Sequence, residues 1–174
     1  MNTINRFNSP RRRHMLSMAI LLSFAACGHA IAGDVCDTAE AGENGNAATA
    51  DGADAVACGS RATASANFST AYGVDSQATS FHAVAIGNGA QAPGERSTAI
   101  GGVAEAGNYS VSVGYSSGDP AASGAVAVGN FAHAGSGGTA LGHDSEAAAD
   151  STAVGHITFA TGESSTAIGH LSQA

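Results

Sequence analysis

The sequence predicts an all-β protein, a parallel solenoid whose rungs are about fourteen residues long. Three observations predict it. A glycine recurs as Gly59, Gly73, Gly87, Gly101, Gly114, Gly129, Gly142, Gly155 and Gly169, at intervals of 13 to 15 residues. Ahead of each glycine, residue size alternates with a period of two, the signature of a strand with two distinct faces. The composition, with 24 Gly, no Trp and 11% charged residues, is poorly suited to one rounded core. Alanine and glycine bury little apolar area each, so stability has to come from repetition or association.

The chain opens on a segment that reads as a signal for export. Arg6, Arg11, Arg12 and Arg13 form a basic region, and Met15 to Ala26 form an apolar stretch too short to span a bilayer as a helix. Ala30-Ile31-Ala32 supplies a cleavage site, so residues 1–32 are expected to be a signal peptide. Phe24-Ala25-Ala26-Cys27 offers the alternative of a lipoprotein box, with a lipid anchor on Cys27. Past residue 32 only Arg61 and Arg96 face fourteen acidic residues, a net charge of −12 with histidine neutral. That balance argues against nucleic acid and anionic lipid as partners, since both need a positive patch.

Residues 33–54 are acidic and rich in Gly and Ala, and read as a linker or as a cap over the first rung. An exported chain that keeps Cys36 and Cys58 is expected to pair them. The alternative is that Cys58 is a small buried hydrophobe. Their spacing is not a zinc pattern.

Residues 55–174 are the rungs. Immediately before the glycine stand Cys58, Tyr72, Ile86, Ile100, Val113, Val128, Leu141, Val154 and Ile168. Three before it stand Val56, Thr70, Val84, Thr98, Val111, Val126, Thr139, Thr152 and Thr166, all β-branched and suited to a pleated surface. Between these two columns comes Ala in eight rungs and Ser112 in the other. Small pairs such as Ala62 and Ala64, Ala90 and Ala92, or Ala132 and Ala134 mark a second strand after each glycine. Two short strands and two turns per period suit a flat two-sided coil better than a three-sided helix. At about 4.8 Å per rung, nine rungs make a rod of roughly 40 Å. The large column (Ile86, Ile100, Val113, Val128, Leu141, Val154, Ile168) is expected to form the core, with Thr98 on its side. The Ala side is then left as a flat face of small residues, to be buried against copies of the chain.

Catalytic and cofactor signatures are absent from the sequence. Ser, His and Asp occur, but no G-x-S-x-G elbow does. Gly135-Ser136-Gly137-Gly138 lacks the lysine of a phosphate-binding loop, and no G-G-x-G-x-D calcium repeat occurs. His143, His156 and His170 each follow a rung glycine, so they are expected to line up at one turn. Such a ladder suits a transition metal or an acid switch, though turn histidines are more often simply solvated. Tyr109, Tyr115, Phe131 and Phe159 scatter over the later rungs and read as no stripe; exposed, they would be adhesion hot spots.

Val84-Ala85-Ile86-Gly87-Asn88-Gly89-Ala90-Gln91-Ala92 and Ser97-Thr98-Ala99-Ile100-Gly101 resemble the head repeats of trimeric autotransporter adhesins, the YadA-like heads. The resemblance covers about residues 55–174. It implies a left-handed parallel β-roll and a homotrimer displayed at a bacterial cell surface, outer membrane or extracellular. It further implies adhesion to host matrix proteins, host cells or like cells, without chemistry and without a cofactor. Those adhesins continue into a stalk and a membrane anchor, whereas this sequence ends at Ala174 within a rung. A truncated or split adhesin and a stand-alone head both fit. The alternative function is a structural or ice-binding solenoid, which would need the row of Thr98, Thr139, Thr152 and Thr166 to face water.

Overall fold

A computed structural model describes residues 34–36 and 48–174. The signal peptide, Cys27 and most of the acidic segment lie outside the described residues. The described chain contains strands and turns and no helix.

Three-residue and two-residue strands alternate along the chain. The three-residue strands are β1 (Asp34–Cys36), β3 (Val56–Cys58), β5 (Thr70–Tyr72), β7 (Val84–Ile86), β9 (Thr98–Ile100), β11 (Val111–Val113), β13 (Val126–Val128), β15 (Thr139–Leu141), β17 (Thr152–Val154) and β19 (Thr166–Ile168). Between them run β2 (Thr49–Ala50), β4 (Thr63–Ala64), β6 (Gln77–Ala78), β8 (Gln91–Ala92), β10 (Glu105–Ala106), β12 (Gly118–Asp119), β14 (His133–Ala134), β16 (Glu146–Ala147) and β18 (Phe159–Ala160). The odd strands form one parallel ten-stranded sheet in chain order. The even strands form a six-stranded sheet from β2 to β12 and a three-stranded sheet from β14 to β18. Each rung is therefore one long strand, a corner, one short strand and a second corner. Because β1 and β2 already belong to these sheets, the stack begins ahead of residue 55.

The register follows the sequence repeat without slippage. Ala71 stands beside Ala85, Ala85 beside Ala99, and Ala99 beside Ser112, with Ile86 beside Ile100. The rung glycines stack as well, and they have to. Gly101 sits at φ +131, and a Cβ on it would lie 2.1 Å from the carbonyl oxygen of Gly114. No side chain fits there, and only glycine takes that backbone readily.

The interior is the reverse of the expectation. Every buried apolar side chain among the described residues is alanine, and the buried polar ones are serines and Thr158. Ala85, Ala99, Ala140 and Ala153 point inward from the long strands and meet Ala92, Ala106, Ala147 and Ala160 from the short ones. Ile86, Ile100, Val128, Leu141 and Ile168 point outward and are exposed, and Val113 and Val154 are half-buried. None of this column is the core of the chain. The Thr/Val column beside it also faces outward, so the face left over is the β-branched and aliphatic one and not the alanine one.

The physical reason is the width of the coil. A period of two says which residues share a face, but not which face is inside. Residues 101–104 and 107–110 turn the chain between the two sheets. Corners so short hold the sheets too close for isoleucine to fit between them, whereas alanine and serine do fit. Most of the buried hydroxyls are hydrogen-bonded to backbone carbonyls, mainly of turns, which offsets the cost of burying them, whereas the buried Ser165 Oγ has no partner. Ser76 Oγ donates to Gly73 O at 2.8 Å, Ser97 Oγ to Gly94 O at 2.6 Å and Ser145 Oγ to Gly142 O at 2.9 Å.

One rung departs from the rule. Where other rungs place alanine inward on the short strand, β12 turns Gly118 inward and leaves Asp119 exposed. The space fills with the one serine of the alanine column: a Cβ on Gly118 would lie 2.0 Å from Ser112 Oγ, which donates to Glu105 O at 2.7 Å. The Asp119 carboxylate accepts from Ala121 N at 2.8 Å, starting the turn that carries the extra residue. The even-strand sheet separates at this bulge.

Candidate interaction surfaces

The rungs present two faces and two edges. The long-strand face carries two outward columns, Thr or Val in one and mainly Ile, Val or Leu in the other. Tyr72 stands in the second column, 58% exposed. The short-strand face carries one column, Thr63, Gln77, Gln91, Glu105, His133, Glu146 and Phe159, which is mostly polar. Neighbours in it interact weakly, as where Gln91 Nε2 reaches Glu105 Oε1 at 3.5 Å.

The first edge is the corner after each rung glycine, where the second residue on takes positive φ. Arg61, Asp75, Val103, Ser116, Phe131, Asp144, Ile157 and Leu171 all do so, at 48° to 58°. For β-branched Val103 and Ile157 this backbone is strained. Arg61 and Asp75 form a bidentate, exposed ion pair across one rung step. The hydrogen bond from Arg61 holds the Asp75 carboxyl below its usual range, and the same bond with the Asp75 charge raises Arg61.

Further along this edge the rings form a continuous ladder. Tyr115 meets Phe131 edge-on at 5.7 Å, and Phe131 meets His143 at 6.4 Å. His143, His156 and His170 then follow at 5.1 Å steps, the last pair within 6° of parallel. The histidine positions thus stack as the spacing indicates. His143 Nδ1 lies 2.9 Å from Asp144 Oδ2. Among the described residues no three His, Cys, Asp or Glu side chains converge as metal ligands. Beside the ladder, between Phe131, Asp144 and Ile157 on the edge and His133, Glu146 and Phe159 on the short-strand face, lies an open groove of about 390 Å³.

The second edge is the corner before each long strand. Its rings lie at the other end of the rod: Phe68 stacks on His82 at 4.9 Å, Phe81 packs against both, and the Arg96 guanidinium lies 5.9 Å from the Tyr109 ring. Of the four aromatics named from the sequence only Tyr115 and Phe131 stack, Tyr109 lying on the second edge and Phe159 on the short-strand face. The stripes arise from those two with the histidines, and from Phe68, Phe81 and His82. They were hard to see because they alternate between adjacent positions of a corner: Tyr115 follows its glycine directly, while Phe131 comes one residue later. Phe68, Phe81 and His82 belong to the same pattern, and their signal was their place just before the small residue that opens each long strand.

Cys58 is disulfide-bonded, and β1 places Cys36 opposite it in register.

The family described as YadA head domain repeat (2 copies) matches residues 50–76, 78–104 and 148–172. Among solved structures, the crystal structure of the collagen-binding domain of the Yersinia adhesin YadA matches at 30% identity with a TM-score of 0.57. The match covers 83% of this chain and 75% of that domain. The chain belongs to the YadA head family. No curated protein matches it in sequence.

As a YadA-like head the chain has the family's β-roll of stacked rungs, and its fold is that of an adhesin binding module. No helix among its described residues is long and apolar enough to cross a membrane. Along the length of this YadA-like head, rings are distributed over both edges.

Proposed function

We propose that the chain is an exported, non-catalytic adhesin head. It assembles as a homotrimer at a bacterial cell surface and binds a host matrix protein, a host cell surface or like cells. The observation that carries this is the outward face of the ten-stranded sheet, in a chain of this family. The double column from Val56 to Ile168, one strip mainly Ile, Val and Leu with Ile86 and Ile100 each 36% exposed and the other Thr or Val, is more apolar surface than a soluble monomer ordinarily keeps in one place. Three copies turning this face to a common axis cover it.

Ligand binding then falls to the short-strand face, which turns away from that axis. The acidic balance keeps the head soluble and favours a basic partner over nucleic acid or anionic lipid. The related Yersinia domain is a collagen-binding one, which makes collagen the first ligand to test. We further propose that Cys36 is the partner of Cys58, tying the N-terminal strand over the first rungs as a cap in an oxidising compartment. Export follows from the signal peptide at residues 1–32, or from lipidation at Cys27.

Light scattering on the purified head is expected to give three times the chain mass, and immobilised collagen or whole cells are expected to retain it. A stable monomer overturns the assembly. A trimer that neither binds cells nor clumps them overturns the adhesive role.

One observation favours a second reading, a lattice-binding rod: the row containing Thr98, Thr139, Thr152 and Thr166 faces outward. Against it, the row alternates with Val84, Val111 and Val126, and the column beside it is interrupted by Tyr72. Thermal hysteresis in a solution of the head would decide for the second reading.

A further inference from the structure

We infer that the two edges of the roll are complementary surfaces, so that the first edge of one copy packs against the second edge of the next at the same height along the rod. The inference rests on the trimer proposed above and specifies how its subunits meet.

The observation is that residue sizes on the two edges run opposite to each other, rung by rung. In the rung of Gly87 the first edge carries Asn88 and Gly89, and the second edge carries Phe81 and His82. In the rung of Gly101 the pairs are Gly102 and Val103 against Glu95 and Arg96. Past a crossover at Tyr109 and Tyr115 the order reverses. Phe131 stands level with Ser123 and Gly124, His143 with Ser136 and Gly137, His156 with Ala149 and Asp150, and His170 with Glu163 and Ser164. Outside the crossover rung, where Tyr109 and Tyr115 are level, each ring thus has a ringless corner at its own height on the opposite edge, and the last two histidines have an acid there.

Nothing inside the chain requires this. The edges lie on opposite sides of the roll and do not touch. Gly124 shows the point best: it sits at φ +66, and a Cβ on it would meet no atom within 4 Å. Phe68, His82, Arg96 and Tyr109 take the same corner at φ 51° to 59°, so the backbone does not reserve the position for glycine. A neighbour explains the open space. Cyclic symmetry about an axis along the rod has no rise, so equal rungs of adjacent copies come level. Flat rolls that turn their long-strand faces to that axis bring unlike edges together. On either side of the crossover, ring then meets a ringless corner, as in any well-packed interface.

Engineered disulfides test the contact. The double variant Ser136→Cys/His143→Cys places one thiol on each edge at one height. Mild oxidation is expected to give covalent trimers on a non-reducing gel. The pair Asn67→Cys/His143→Cys, several rungs out of level, is expected to stay uncrosslinked. A trimer by light scattering without the level crosslink, or with the mismatched one, overturns the edge contact and leaves the trimer standing; a monomeric parent chain overturns both. Independently, Gly124→Phe is expected to weaken self-association at least tenfold while circular dichroism stays unchanged. Gly124→Asn, which carries the same backbone demand in a smaller side chain, is expected to change it less than threefold. Equal effects of the two variants would overturn the inference.

Discussion

The two faces of the roll are built from the same rung yet obey different rules. The long strands form one sheet without interruption from β1 to β19, and the short strands break into two sheets at Gly118 and Asp119. Both faces share the alanine interior, so interior packing does not separate them. Their outward residues do. Three-residue strands present two outward columns, one of Thr or Val and one mainly aliphatic, and a slip would turn these inward where they do not fit. Register is strongly specified where both faces of a strand carry such a demand. Two-residue strands present a single polar outward column that water satisfies equally well when it is displaced. An extra residue is accordingly absorbed on the short-strand side, with Ser112 filling the space that Gly118 leaves.

The shared interior is where the largest effect is expected. Ala99→Leu places a large side chain between sheets that admit only Ala and Ser, and should destabilise the chain by about 3 kcal/mol or more. Loss of the cooperative melt, or a large drop in Tm by circular dichroism, is the expected readout. A variant that melts like the parent would return the aliphatic column to the interior and erase the contrast between the faces.

A middle-sized effect sharpens the contrast directly. Ile100→Asp on the long-strand face is expected to leave the secondary structure intact while raising the dissociation constant of the assembly at least tenfold, about 1.4 kcal/mol. Gln91→Asp, in the matching place on the short-strand face, should leave the mass in solution unchanged. Sedimentation at several protein concentrations distinguishes the two, and equal sensitivity of both faces would remove the distinction between them.

The smallest effect belongs to the edge. The folded-state pKa of Asp75 is lowered by its hydrogen bond to Arg61 from the usual 3.8, so its contribution is present above that value. It is lost as pH falls through the lowered one. The raised Arg61 pKa contributes at every working pH and is lost only in strongly alkaline solution, so it adds no pH dependence in the working range. Arg61→Ala should therefore move the Asp75 titration midpoint upward in an NMR titration, with a change in Tm confined to acid pH and close to the limit of detection, because both groups are exposed. An unchanged midpoint would mean the pair does not persist in solution.

Much of the architecture was legible from residue order. Nine glycines at near-constant spacing gave the rungs, since a stacked glycine at φ +131 cannot be replaced. The small and β-branched alternation gave the strands, and the shared position of His143, His156 and His170 gave their ladder. The ring stripes were not legible, because aromatics that occupy neighbouring places in a corner blur any strict period. The complementarity of the edges needed both corners of each rung assigned to a height, which follows only from the register of the strands.

By itself the sequence determined the repeat, the strand positions and the pairing of rungs, because local backbone demands recur at fixed intervals and in-register stacking satisfies all of them at once. Only the tertiary structure decided which side is inside. Hydrophobicity favours Ile100 for the core and sterics favour Ala99, and with the sheets joined by such short corners the space between them accepts the methyl group and turns the larger side chain outward.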